Sequence, residues 1–387
     1  MKPSFVLLIG SIILTYAGIN FYIGLRGWQS IGRFIPFLSS MVYWSAFWLM
    51  VFSYILSRLT EKYLPDFFTK SFSILGGYWI PAMVYLLVIL LTLDCLRLID
   101  RHFSIFPKVL REHPYAVLYT GFSVLLILLI VFTYGTFNSR NIKITNYQLP
   151  IPKETDINQL HAVLVSDIHL GLVIGNKRLT EIIEKVNSLK PDIVFLAGDI
   201  LEENINQLKE KQQLTDTFRQ LNAKYGVFAI LGNHEYIGGS ADSVAEFFKD
   251  VNVITLRDQY AKIADSFYVL GRDDLSTNRF NQGMRQDLSA IMRDIDKSLP
   301  MILLDHQPSR LDEAQQEGID LQLSGHTHRG QFFPFNLITD RIFEVDWGYL
   351  KKDDLQVIVS SGAGTWGPPI RIASRSEIVS IKIKLDK

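Results

Sequence analysis

The sequence predicts two structural classes in one chain, an α-helical membrane domain of four spans followed by an α/β layered domain. Stretches 5–25, 34–56, 72–93 and 115–137 are apolar and contain no Asp, Glu, Lys, Arg or His. A helix needs roughly 20 apolar residues to cross a hydrocarbon core of about 30 Å, and each stretch is long enough. Beyond residue 138 the pattern changes to short apolar runs separated by amphipathic helical spacings, as in a buried sheet covered by helices. The boundary therefore falls between 1–137 and 138–387.

Within the membrane domain, Pro81 predicts a kink, because proline removes a backbone donor from the helix. Four spans place the N-terminus and the larger domain on the same side of the bilayer. Lys and Arg of the short loops divide evenly between the two faces, so they leave the side itself open. Asn20, Tyr16 and Tyr85 fit either a lipid-binding groove or contacts between helices.

Composition narrows the partners. The 387 residues carry 39 basic and 39 acidic side chains, so no strongly basic surface points to nucleic acid. A single cysteine, Cys95, excludes an internal disulfide and a thiolate metal cage.

In the second domain, 142–147 alternates as an entering strand, and 176–189, 208–223 and 240–249 carry helical periodicity. The chemistry lies where apolar runs stop. Val163-Leu164-Val165-Ser166 ends at Asp167-Ile168-His169, where alternate side chains of an extended chain share a face. Four further runs end similarly, at Asp199, at Asn233-His234-Glu235, at Asp305-His306 and at His326-Thr327-His328. Carboxylate, imidazole and amide oxygen without thiol suit first-row divalent ions such as Mn, Fe, Zn or Co. Asp167, His169, Asp199, Asn233, His306, His326 and His328 are too many for one ion that keeps an open position. They suit two, about 3.5–4 Å apart, the spacing used for in-line displacement at phosphorus.

These motifs, in the order D-x-H, G-D-x-x-E, G-N-H-E, a lone H and G-H-T-H, resemble the calcineurin-like metallophosphoesterases over about residues 140–385. The tail Ser360–Arg371, rich in Gly and Pro, is similar to the bacterial branch with membrane-anchored members. The resemblance implies a two-sheet β-sandwich flanked by helices. It also implies that Asp167, His169 and His328 hold one ion, that Asn233, His306 and His326 hold a second, and that Asp199 bridges them. A hydroxide shared by the ions would attack phosphorus, and His234 would serve the leaving oxygen as general acid. Glu202 stands where relatives carry Asp and is expected to support ligands without binding metal.

Arg178, Arg329 and Arg371 are candidates for contacting substrate phosphate. His102, His113 and His161 have no ligand-like neighbours and read as structural. The expected activity is hydrolysis of a phosphoester or pyrophosphate, with a lipid head group favoured because the tether holds the site near the bilayer. Hydrolysis of soluble nucleotides or phosphomonoesters is the alternative, and a membrane scaffold that no longer catalyses is a third. Oligomeric state is not legible in the sequence.

Overall fold

The computed structural model describes residues 3–61, 63–202, 205, 208, 210–237, 239, 241–279 and 283–386. Ser240, the first residue of the predicted helix 240–249, lies outside them. The chain divides into two compact units, Met1–Tyr134 with Gly367–Pro369, and Gly135–Trp366 with Ile370–Lys387.

The first unit contains α1 (Pro3–Ser30), α2 (Ser40–Thr60), α3 (Asp66–Phe103), the short α4 (Lys108–Arg111) and most of α5 (Ala116–Arg140), which runs on into the second unit. Among the described residues four helices are long and apolar enough to cross a membrane, namely α1, α2, α3 and α5. Their outward faces are apolar, with Leu14, Met41 and Leu129 largely exposed. Small and polar groups turn inward instead, including Asn20, Ser53, Ser57, Ser73, Gly76 and Gly77. That inversion is the arrangement expected of helices solvated by lipid, where association depends on close backbone approach and interhelical hydrogen bonds.

Asn20 is such a pin. Its Oδ1 accepts from Trp79 Nε1 at 2.9 Å, and its Nδ2 donates to the Tyr16 carbonyl at 2.8 Å. Tyr16 donates its hydroxyl to the Val51 carbonyl at 2.8 Å. Asn20 and Tyr16 are therefore helix-contact groups. Pro81 lies inside α3, which runs on through it without interruption.

The second unit alternates strands and helices. In chain order these are β1 (Lys143–Glu154), β2 (Gln159–Val165), α6 (Asn176–Ser188), β3 (Ile193–Ala197), α7 (Lys211–Phe218), β4 (Val227–Ile230), α8 (Asn233–Ile237), α9 (Ala241–Asp250), β5 (Val253–Thr255), β6 (Gln259–Ile263) and β7 (Phe267–Gly271). They continue as α10 (Ser276–Arg279), α11 (Leu288–Ile291), β8 (Met301–Leu304), α12 (Leu311–Gln316), β9 (Leu321–Ser324), α13 (Phe335–Ile342), β10 (Gly348–Lys352), β11 (Leu355–Val359) and β12 (Glu377–Asp386). Strands of one sheet run β1-β12-β2-β3-β4-β5, and of the other β10-β11-β9-β8-β7-β6. Strands β2 to β5 pair in parallel, as do β7, β8, β9 and β11.

Strand alternation builds the layers. Leu160, Ala162 and Leu164 of β2 point between the sheets, where they meet Phe195, Phe228, Val269, Ile302 and Leu323. Val163 and Val165 point the other way, onto Leu179, Ile182, Ile183 and Val186 of α6 and Phe218 of α7. Leu303 and Val357 similarly meet Leu288 of α11 and Leu311 of α12 on the outer face of the second sheet. The result is two mixed sheets packed face to face with helices outside each. Their parallel strands end along one edge, where an α/β sheet offers its loops to a ligand.

Candidate metal centre

Each predicted metal ligand, and His234, follows the C-terminal end of a parallel strand. Asp167 and His169 follow β2, Asp199 follows β3, Asn233 and His234 open α8 after β4, His306 follows β8, and His326 and His328 follow β9. The loops are stitched together by backbone hydrogen bonds. Asp167 N donates to the Gly198 carbonyl and His169 N to the Asp199 carbonyl, both at 3.0 Å, while Gly364 N donates to the Asp167 carbonyl at 2.9 Å.

Local backbone conformation aims the side chains. Asp167, His169, Asp199, His326 and His328 all have positive φ, between 49° and 71°. Non-glycine residues occupy this region at a cost, and such residues concentrate at functional sites. Glycine is required beside them. A Cβ on Gly232 would lie 2.2 Å from Asp199 Oδ1, and one on Gly325 would lie 2.3 Å from Asp167 Oδ2.

The side chains converge as three overlapping groups among the described residues. Ligand atoms of Asp167, His169 and His328 lie within 4.8 Å of one another, and so do those of Asp199, His306 and His326 and those of His169, Asp199 and His234. Asn233 Oδ1 sits 2.8 Å from His326 Nδ1, which adds it to the second group. Asp199 Oδ2 is 3.9 Å from His169 Nε2 and 3.2 Å from His306 Nε2, so this carboxylate stands between the two. The structure thus brings together all seven residues predicted as ligands.

The donor set fits cations. His306 donates from Nδ1 to the Ala197 carbonyl at 2.7 Å, which leaves the Nε2 lone pair directed towards the Asp199 carboxylate. Nε2 is fully buried, and the Asp199 carboxylate is the group it faces. His169 repeats the pattern, with Nδ1 on Glu202 Oε2 at 2.7 Å and Nε2 only 3.0 Å from His328 Nε2. A buried imidazole nitrogen aimed at a carboxylate, as His306 Nε2 is at Asp199, calls for positive charge between them, a cation or a proton.

The buried charges pull the imidazoles in different directions. Burial acts against the His306 imidazolium, but the charges of Asp199 and Asp167 outweigh it and raise its pKa well above the usual value. Burial, reinforced by His169 and Arg371, holds His328 well below it. Burial together with His306 lowers His326 to about 4. Burial raises Asp167, whereas for Asp199 burial is overcome by His306, His169 and His234, which hold it well below the carboxylate range.

His234 stands at the rim. Its ring lies edge-on to His169 at 4.7 Å between centroids and edge-on to Trp366 at 5.8 Å. Its Nδ1 is 3.2 Å from Glu202 Oε2. Burial disfavours the imidazolium, but the Glu202 hydrogen bond and the charges of Asp199, Glu202 and Glu235 together raise the pKa to about 9. Glu202 therefore holds both His169 and His234, and despite burial those two partners keep its own pKa near about 2.

Two residues matter more than sequence reasoning credited. Glu235, fully buried, accepts from the backbone N–H groups of Asp199, Ile200, Leu201 and Gly232 at 2.7–3.1 Å and so clamps the loops after β3 and β4. Its place in the G-N-H-E motif was the available signal. Arg371, a candidate for contacting substrate phosphate, is the other. Its guanidinium is fully buried and donates to the carbonyls of Gly362 and Gly364 and to His328 Nδ1 at 3.1 Å. Burial lowers its pKa to about 10.

Arg178, a second candidate, is also engaged within the chain. It donates to the carbonyls of Arg140, Ser139 and Ala363 at 2.6–2.9 Å, so its donors are committed to tying loops together. Arg329 lies with its guanidinium 4.3 Å from the Trp347 ring centroid, half-buried beside His328. His161 bonds Ser380 Oγ at 2.9 Å within the sheet, a structural role.

Comparison with known proteins adds the class. The family described as calcineurin-like phosphoesterase matches residues 160–330. A transmembrane protein with metallophosphoesterase domain from Danio rerio is 31% identical over 330 residues, which cover 81% of this chain and 73% of the relative. A metallophosphoesterase of Campylobacter jejuni is 32% identical over 336 residues, 84% of each chain. One from Aquifex aeolicus is 34% identical over 236 residues, covering 60% of this chain and 87% of its own. The chain belongs to the calcineurin-like metallophosphoesterase family. It is a phosphoric ester hydrolase by class, and a membrane protein by its apolar helices and its likeness to transmembrane relatives.

Proposed function

We propose that the centre holds two divalent cations and hydrolyses a phosphodiester or pyrophosphate linkage in a lipid head group. Asp167, His169 and His328 would hold one cation, Asn233, His306 and His326 the other, with Asp199 shared. The observation that carries this reading is His306, whose Nδ1 is spent on a carbonyl while Nε2 faces the Asp199 carboxylate at 3.2 Å. Cations bound there supply Lewis-acid neutralisation of substrate charge and an activated water, and their identity is Mn, Fe, Zn or Co.

The chain's own residues do the rest. His234, protonated at neutral pH with its pKa near about 9, donates a proton to the departing oxygen. Glu202 fixes the His234 ring through Nδ1, which leaves Nε2 as the atom that reaches the leaving group. Trp366, about half exposed and edge-on to His234, walls the substrate side, and Arg329 beside His328 is the arginine available to a phosphate oxygen. Residues 1–137 form the multi-pass membrane domain and 138–387 the catalytic domain, on the same side of the bilayer as the N-terminus.

The lipid substrate follows from tethering, which raises the concentration of membrane phosphates at the site. A scaffold without activity is disfavoured because every one of the seven ligand positions keeps a metal-binding side chain. Incubating detergent-purified protein with total lipid extract and with a nucleotide panel, against Asp199→Asn, separates the readings. Loss of lipid phosphate only with the wild type supports the proposal. Consumption of nucleotides alone replaces the lipid by a soluble substrate, and turnover of neither, even of bis(p-nitrophenyl) phosphate with manganese, leaves the scaffold.

A further inference from the structure

The first unit encloses a cavity of about 660 Å³ between α1, α2, α3 and α5, within the range of small-molecule sites. Its lining on α3 extends from Trp79 to Arg97, roughly 27 Å of helix at about 1.5 Å per residue, so the cavity is elongated along the bundle. Phe47, Met50, Leu86 and Leu90 make its body apolar. Its polar end is formed by Arg26, Gln29, Arg33 and Arg97, at the end of the bundle away from the C-terminus of α5.

The charges at that end do not cancel. Asp94 accepts from Arg26, from Arg97 at 3.1 Å and from Tyr22 at 2.7 Å, so one carboxylate serves two guanidinium groups. Arg33 lies over the Phe34 ring at 4.9 Å and has no carboxylate partner among the described residues. Arg26 Nε is buried without an acceptor. An apolar slot ending in surplus positive charge and an orphaned donor lacks an anion attached to a hydrocarbon chain.

We propose that this cavity binds one acidic phospholipid, its acyl chain lying along α3 and its phosphate between Arg26, Arg33 and Arg97. The site is distinct from the metal centre, and neither proposal depends on the other. Acidic lipid is chosen over zwitterionic because surplus arginine charge discriminates between them by roughly tenfold or more.

The test uses full-length protein in nanodiscs of phosphatidylcholine carrying a small fraction of phosphatidylglycerol, with bound lipid read by native mass spectrometry after release from the disc. The expected result is at least tenfold enrichment of phosphatidylglycerol at one molecule per chain. Arg33→Gln with Arg97→Gln should reduce enrichment to about threefold or less, and Leu90→Trp, which fills the slot without touching charge, should remove the bound lipid. Soluble glycerol phosphate should not compete, because it lacks the chain. Equal retention of both lipids by the wild type overturns the proposal, as does undiminished enrichment in both variants. Thermal unfolding of each variant distinguishes lost binding from lost fold.

Discussion

At the residue scale, the centre depends on pairs of side chains whose hydrogen bonds fix which atom faces inward. His169 gives Nδ1 to Glu202 and His306 gives Nδ1 to the Ala197 carbonyl, so both present Nε2 to the space between the acids. Removing such outer partners typically costs 10–100-fold in metal affinity. Glu202→Gln should therefore weaken metal binding by that order, read by competition with a chelator. It has a second effect. Glu202 raises the His234 pKa towards about 9, so kcat should fall as pH rises through the His234 pKa and the acid form is lost. Bound cations bring this limb below 9 by repelling the proton, and Glu202→Gln should move it further in the same direction. A limb that moves up, or stays, would separate Glu202 from His234.

His234→Ala should lower turnover by about 10²–10⁴-fold with metal content retained, the usual worth of a positioned acid. Turnover unchanged at saturating substrate would remove it from the chemistry. Arg178→Ala offers the opposite expectation. Because its guanidinium is taken up by the Ser139, Arg140 and Ala363 carbonyls, stability should fall by about 1–3 kcal/mol while KM stays within about twofold. A large rise in KM would restore it as a substrate contact.

At the scale of elements, the strands that bear the site were legible because each is an apolar run stopped by a polar motif. β2, β3, β4, β8 and β9 fall where those runs predict them. Helix α6 matches its predicted span closely, since Leu179, Ile182, Ile183 and Val186 all face the core. Helix α7 covers Lys211–Phe218 of its expected 208–223, of which residue 209 lies outside the described residues; Leu214 and Phe218 are buried in the core, and Leu208, Leu221 and Ala223 pack against it from outside the helix. What periodicity does not carry is pairing over distance. β12, from the far end of the chain, inserts between β1 and β2, parallel to one and antiparallel to the other. The burial of Arg371 against His328 depends on the loop that precedes β12, which no local pattern reveals.

The layer between the sheets is the mechanical base of the site. Leu164, fully buried in β2 just before the Asp167 loop, packs within it. Leu164→Ala should cost about 2–5 kcal/mol, measured by denaturant unfolding of the detergent-purified protein. A change below about 1 kcal/mol would mean that this layer is looser than its packing implies.

At the scale of the whole molecule, one chain joins two solvents. Its first unit turns small and polar residues inward and apolar ones outward, and its second does the reverse with Val, Ile and Leu between two sheets. Run length and absence of charge were enough to read the first, and the spacing of motifs was enough to read the second. The polar cluster around Asp94 and the cavity beside it were invisible in sequence, because Arg26, Arg33 and Arg97 are apart in the chain and look like ordinary loop charges until the helices pack.

A strand-end cluster of acids and imidazoles built for cations is tested most directly by the number of divalent metal ions bound per chain. Protein purified in detergent and saturated with manganese, then passed free of excess, should carry two ions, and Asp199→Asn should carry fewer under identical treatment. A wild-type content near zero, or an equal content in both proteins, would contradict a centre built for cations.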